Sequence, residues 1–257
     1  MAEIMEELVL QHPEGEYSFK VQNLEELETS VFEKLNQQKN LVVEIRFLNQ
    51  KNEAKQIEAK LLVENNDNIN QIDSYLYINL INQSELLLKS CTLFYQWIQR
   101  LKHLKHFSLM LRSQQIKYDK IYLFEGISSL INLTSLDLDV GNTQLGDEGV
   151  IRLGEELQKC VHLSNLKLEI FTNKITNIGA IELGIFISKC RNLTQLYLDI
   201  ASNSISEGQL GLVRGINLCP KLRDFYLMIY GTGYGYDLSK PLCKSKSLVK
   251  FYLILNF

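Results

Sequence analysis

The chain has 257 residues, 46% hydrophobic and 22% charged, which excludes a disordered or fibrous protein and is long enough to bury a substantial core. A net charge of −3 and a pI near 5.9 fit poorly with a nucleic-acid binder, which is more often basic overall. No apolar run approaches the roughly 18 residues that span a bilayer, and five cysteines without a CxxC indicate neither a disulfide framework nor a zinc knuckle.

Charge is split along the chain. Residues 1–70 carry 14 Asp and Glu against 7 Lys and Arg, whereas residues 71–257 carry 16 against 20. The acidic start, MAEIMEELVL, fits neither a signal peptide nor an Arg-rich transit peptide, so a reducing, cytoplasmic location is expected. Leu24, Leu27, Val31, Phe32 and Leu35 fall on one helical face, which predicts an N-terminal helical cap over residues 1–39.

From residue 40 the pattern alternates between strand and helix. Val43-Ile45-Phe47, Leu76-Ile78-Leu80 and Leu104-Phe107-Leu109-Leu111 read as strands, with helices predicted near 54–63, 84–99 and 119–129. The repetition is clearest from Leu133, with Leu163 and Leu193 each 30 residues further on. Each unit has three apolar residues at period two: Leu136, Leu138 and Val140; Leu166, Leu168 and Ile170; Leu196, Leu198 and Ile200. An Asn follows (Asn142, Asn173, Asn203), then helical spacing near 146–159, 176–189 and 206–217, and each unit closes on Cys160, Cys190 or Cys219. Leu222-Phe225-Leu227-Ile229 and Leu248-Phe251-Leu253-Leu255 extend the series to about eight strands. Such a unit cannot bury its own apolar face and must stack on its neighbours.

The LxxLxL runs Leu133-Leu136-Leu138, Leu163-Leu166-Leu168 and Leu193-Leu196-Leu198 resemble the leucine-rich-repeat family, in its ribonuclease-inhibitor-like subtype. The resemblance covers roughly residues 40–257 and implies an α/β solenoid, a horseshoe with a parallel sheet on its concave face and helices on its convex face. It also implies a non-enzymatic module that binds proteins. The Asn comes four or five residues after the third Leu, rather than three, which implies a displaced Asn ladder. The extended repeat and a composition rich in Asn, Gln, Ile and Lys resemble ciliate and other protist proteins of this family.

Residues bearing chemistry do not assemble into a known catalytic or metal motif. The recurring Cys read as small buried packing residues, His103 and His106 have no ligand partner at HExxH spacing, and GTGYGYDLSKP has Tyr236 where a dinucleotide loop needs its third glycine. No enzyme, cofactor or metal site is expected.

The residues between the core positions should line the sheet face away from the helices. Asp137, Asp139, Glu169 and Asp199 form a predicted acidic patch there. Tyr197, Tyr226, Tyr230 and Tyr252, joined by Tyr234 and Tyr236 in the adjoining loop, form an aromatic one. Tyr at these positions reads either as an interface or as plain strand propensity; Met228 and Ile254 extend the patch and favour the interface. The expected partner is a protein bearing Lys or Arg, held by this face and by the strand edge at Leu248–Leu255. The alternative is a structural component of a ribonucleoprotein, contacting RNA through Arg100, Lys102, His103, Lys105, His106, Arg112, Lys117 and Lys120.

Overall fold

A computed structural model describes residues 16–21, 42–48, 56–62, 75–79, 98–99, 102, 104–112, 124, 126–232, 236–243, 245 and 247–255. Among them are ten strands: β1 (Glu16–Val21), β2 (Val42–Leu48), β3 (Gln56–Leu62), β4 (Tyr75–Asn79), β5 (His106–Met110), β6 (Ser135–Asp139), β7 (Asn165–Glu169), β8 (Gln195–Asp199), β9 (Asp224–Met228) and β10 (Lys250–Ile254). They form one sheet in the order β1-β3-β2-β4-β5-β6-β7-β8-β9-β10. Every pair from β2–β4 to β9–β10 is parallel. Helices α1 (Gly146–Leu157), α2 (Asn177–Lys189), α3 (Gly208–Ile216) and the four-residue α4 (Ser239–Leu242) alternate with β6 to β10. The fold is therefore α/β and repeating, and no helix among the described residues is long and apolar enough to cross a membrane.

The period-two reading places all eight predicted strands. It errs at residues 54–63, where a helix was expected and β3 is found. QIEAKLL spaces Ile57, Ala59 and Leu61 at period two, but Ile57 and Leu61 also suit a helical turn, and seven residues cannot decide between them. The hairpin decides, because β3 pairs antiparallel with both β2 and β1. β1 also puts a strand inside the segment expected to be a helical cap; residues 24–38 lie outside the described residues, as do most of 84–99 and 119–129.

Register holds the units together. Leu136, Leu166, Leu196 and Phe225 align across β6 to β9, as do Leu138, Leu168, Leu198 and Leu227, and all are buried. After each strand the backbone enters the left-handed region at Asn142, Thr172 and Ser202 (φ 54° each), a turn held by a buried ladder one residue later. Asn173 Oδ1 accepts from the N–H groups of Thr143 (2.9 Å) and Leu145 (3.0 Å), and its Nδ2 donates to Val140 O at 2.7 Å. Asn203 repeats this one unit on, accepting from Asn173 N (2.8 Å) and Ile175 N (3.0 Å). Thr143, not Asn142, holds the equivalent place in the first unit, and its one hydroxyl hydrogen is within reach of Val140 O (2.8 Å) and Asn173 Oδ1 (3.0 Å). Asn142 is exposed instead.

Adjacent helices also cap one another. Asp147 on α1 accepts from Thr176 N just before α2, and Asn177 Oδ1 accepts from Ser206 N and Gly208 N at the start of α3. The helices approach very closely: a Cβ on Gly215 would lie 2.4 Å from the Gly184 carbonyl carbon. Gly215→Ala should therefore destabilise by about 1–3 kcal/mol, because forced separation of the two backbones outweighs the ~1 kcal/mol gain in helix propensity. Thermal denaturation checks this, and a raised midpoint would show that the helices can part at no cost.

Candidate functional site

Register across β5 to β10 lays two rows on the face opposite the helices. One runs Ser108, Asp137, Lys167, Tyr197, Tyr226, Tyr252; the next runs Met110, Asp139, Glu169, Asp199, Met228, Ile254. Backbone pairing continues beyond the strands and adds a third row of Arg112, Gly141, Phe171, Ala201 and Tyr230.

The four predicted carboxylates do cluster, but with two cations among them. Lys167 Nζ lies 3.3 Å from both carboxylate oxygens of Asp137 and 3.2 Å from Glu169 Oε2. Arg112 donates from Nε (2.9 Å) and Nη2 (2.8 Å) to Asp139 Oδ2, and its Nη2 is 3.9 Å from Glu169 Oε1. The guanidinium also sits 4.9 Å from the centroid of the Phe171 ring. That ring can reach it only because Gly141 stands between them, where a Cβ would come within 2.2 Å of Phe171 Cζ. Arg112, read from sequence as part of a basic stretch, is thus taken up by the acidic cluster.

The carboxylates differ in what they can offer. Asp139 is 2% exposed, accepts from Gly141 N and is paired with Arg112, so it positions the arginine and does not face outward. Asp199 repeats the turn contact by accepting from Ala201 N at 3.1 Å, yet has no cation within ion-pair distance among the described residues. Burial pushes its carboxyl above the ordinary range, countered by the Ala201 N–H and Arg112 and reinforced by the charge of Asp139. Burial likewise pushes Glu169 up, against the pull of Lys167, with Asp139 again adding to the rise.

Three tyrosines form a ladder. The Tyr197 and Tyr226 rings stack with centroids 4.7 Å apart and planes 6° from parallel, and Tyr252 follows at 6.0 Å, tilted by 36°. Tyr197 Oη donates to Met228 Sδ, and Lys167 Nζ lies 5.8 Å from the Tyr197 centroid. Lys167 therefore joins the acidic and aromatic patches into one surface. Tyr230 lies in the third row, outside the ladder, and Tyr236 is partly buried, packed against the hydrophobic core. Tyr234 is outside the described residues.

Sequence reasoning missed Arg112 and Phe171 as members of this site. The signal was the 30-residue register carried two positions past each strand, where Arg112, Phe171 and Tyr230 alternate with Gly141 and Ala201. The cysteines are placed as packing residues: Cys160, Cys190 and Cys219 point their thiols at the Ile127, Leu157 and Ile187 carbonyls, and burial pushes each up to about 12. Of the basic stretch expected to contact RNA in the alternative reading, Arg100, His103, Lys117 and Lys120 lie outside the described residues. No protein-family model matches the chain, and no curated protein matches it.

Proposed function

We propose that this chain is a leucine-rich-repeat solenoid of the ribonuclease-inhibitor-like type, acting as a non-enzymatic binding or scaffold module in the cytoplasm. Its concave sheet face takes a protein partner through a Lys or Arg side chain set beside Asp199 and the edges of Tyr197 and Tyr226. The observation that carries this reading is the Asp199 carboxylate, 7% exposed, with no cation within ion-pair distance among the described residues, next to stacked aromatic rings. A buried carboxylate in that state gains from an incoming cation, and aromatic rings at its side add contact area at small entropic cost. Free thiols at Cys160, Cys190 and Cys219 fit a reducing compartment.

Two observations weigh against the RNA reading. Arg112 is occupied by Asp139, and Tyr226 lies between the rings of Tyr197 and Tyr252, so both of its faces, which a base would need, are already taken.

Asp199→Asn tests the proposal, since it keeps an acceptor for Ala201 N and removes only the charge. Because the folded-state pKa values of Asp199 and Glu169 are raised, the native state holds their protons more tightly than the unfolded chain. That contribution is fully present below the ordinary carboxylate range and is lost as pH rises through the raised values. Asp199→Asn should therefore melt higher than the parent at pH 7, with the difference closing below about pH 4. The same substitution should cut partner capture about tenfold, the worth of one lost charge-assisted contact. Undiminished capture would remove Asp199 from the interface. Asp139→Lys is the wrong probe, because it would set a second cation against Arg112 inside the fold.

A further inference from the structure

We infer that β10 is the seam of a two-fold dimer, pairing antiparallel with β10 of a second copy about an axis through Tyr252. This deepens the reading above, resting on its assignment of the C-terminal strand edge as an interface, and gives that edge an occupant.

β10 is the last strand of the sheet, and no described strand covers its outer edge. Its core row is unfinished. Phe251 aligns with Phe225, which is 1% exposed, yet Phe251 is 38% exposed, and Val249 and Tyr252 reach 64% and 60%. An edge strand is normally blunted by charge, proline or a bulge. Here the only charge is Lys250, at the first position, and all five residues keep regular register with β9.

The strand is complementary to itself. Lys250 N donates to Arg223 O and Ile254 O accepts from Ile229 N, so these residues face β9. Strand alternation then turns the N–H and C=O groups of Phe251 and Leu253 toward the open edge. Antiparallel pairing centred on Tyr252 sets Phe251 opposite the second copy's Leu253, and Leu253 opposite its Phe251. Both are hydrogen-bonded pairs, in which each residue gives and receives one bond. Lys250 falls opposite Ile254 of the second copy, so no like charges meet. Phe251 and Leu253 close each other's unfinished core on the helix side. On the other side Tyr252 meets Tyr252 and runs the Tyr197–Tyr226–Tyr252 ladder into its mate. Any other antiparallel register that keeps hydrogen-bonded pairs moves Tyr252 off the axis and shortens the overlap of this five-residue strand.

Sedimentation of the full chain should show a species of twice 29.7 kDa that dissociates on dilution. Tyr252→Glu sets two carboxylates against each other on the axis and should leave only monomer, with circular dichroism unchanged. In a Cys243→Ser background, Tyr252→Cys should crosslink under mild oxidation, since directly opposed residues of this kind stand about 4.5 Å apart at Cα, within disulfide reach. Lys250→Cys in the same background should not, being opposite Ile254. Monomer at every concentration, crosslinking through position 250 instead of 252, or open-ended growth through β1 would each overturn the proposal. The two readings fail separately. Asp199→Asn should leave the sedimentation unchanged, so a monomer that still loses capture with Asp199→Asn overturns the dimer alone. A dimer whose capture ignores Asp199 overturns the sheet-face reading alone.

Discussion

Asn203→Ala is expected to lower stability by about 3–5 kcal/mol, out of proportion to the loss of one small polar side chain. Asn203 is 4% exposed and works in both directions. Its Oδ1 accepts from Asn173 N and Ile175 N, and its Nδ2 donates to the carbonyls of Ile170 (3.0 Å), Ile200 (2.9 Å) and Ala201 (3.2 Å). Alanine removes these partners; the Ala201 carbonyl keeps Thr172 N, but others are left in the interior without theirs, and each buried orphan costs about 1–3 kcal/mol. Thr172 and Lys174, held in the left-handed region by this turn, would lose the contacts that keep them there. Asn203→Asp should be no rescue, because it keeps the acceptor but faces three carbonyls with a carboxylate. Urea denaturation measures the effect. A midpoint within error of the parent for Asn203→Ala would mean that the ladder does not hold the turns in solution.

Leu168→Ala and Leu198→Ala should each cost about 2–5 kcal/mol, as expected for removing buried leucine from a packed interior. Both are 0% exposed and sit in the middle of an aligned row, with Leu138 on one side and Leu227 on the other. A unit above and a unit below pack on each, so little can collapse into the space. Leu253→Ala is the internal comparison. It occupies the same row at β10 but is only partly buried in the single chain, so in the monomeric Tyr252→Glu background its cost should be well below that of the two central leucines. Equal costs at all three positions would contradict the stacking of unit on unit, and no loss at Leu168 and Leu198 would contradict the register itself.

Both predictions come from a pattern visible in the residues, but from different depths of it. Leu168 could be placed in the core from its neighbours Leu166 and Ile170 alone. Asn203 could be seen to recur, whereas its role depended on which residue of the first unit matches it. Counting asparagines selected Asn142; thirty-residue register selects Thr143, which keeps the donor to Val140 O. Residue type misled there, because a threonine hydroxyl can end a ladder that only asparagine can continue in both directions.

The candidate site divides in the same way. That Asp137, Asp139, Glu169 and Asp199 share a face with Tyr197, Tyr226 and Tyr252 follows from period-two alternation and equal repeat length. Which carboxylate is free to meet a partner does not, since Arg112 reaches Asp139 across 27 residues and needs Gly141 to let Phe171 lie beneath it.

What the amino-acid order determined by itself was the local and the periodic: strands where apolar residues alternate, helices α1 to α3 where the spacing widens, and rows set by a 30-residue repeat. These rest on the geometry of one chain segment, so neighbours in sequence suffice to reveal them. Only the tertiary structure decided that residues 56–62 are a strand, that Lys167 joins the acidic and aromatic patches, and that Tyr197 and Tyr226 spend their ring faces on each other. Those outcomes depend on side-chain direction and on partners one unit away or more, where hydrogen bonding and burial choose among alternatives that local periodicity leaves equal.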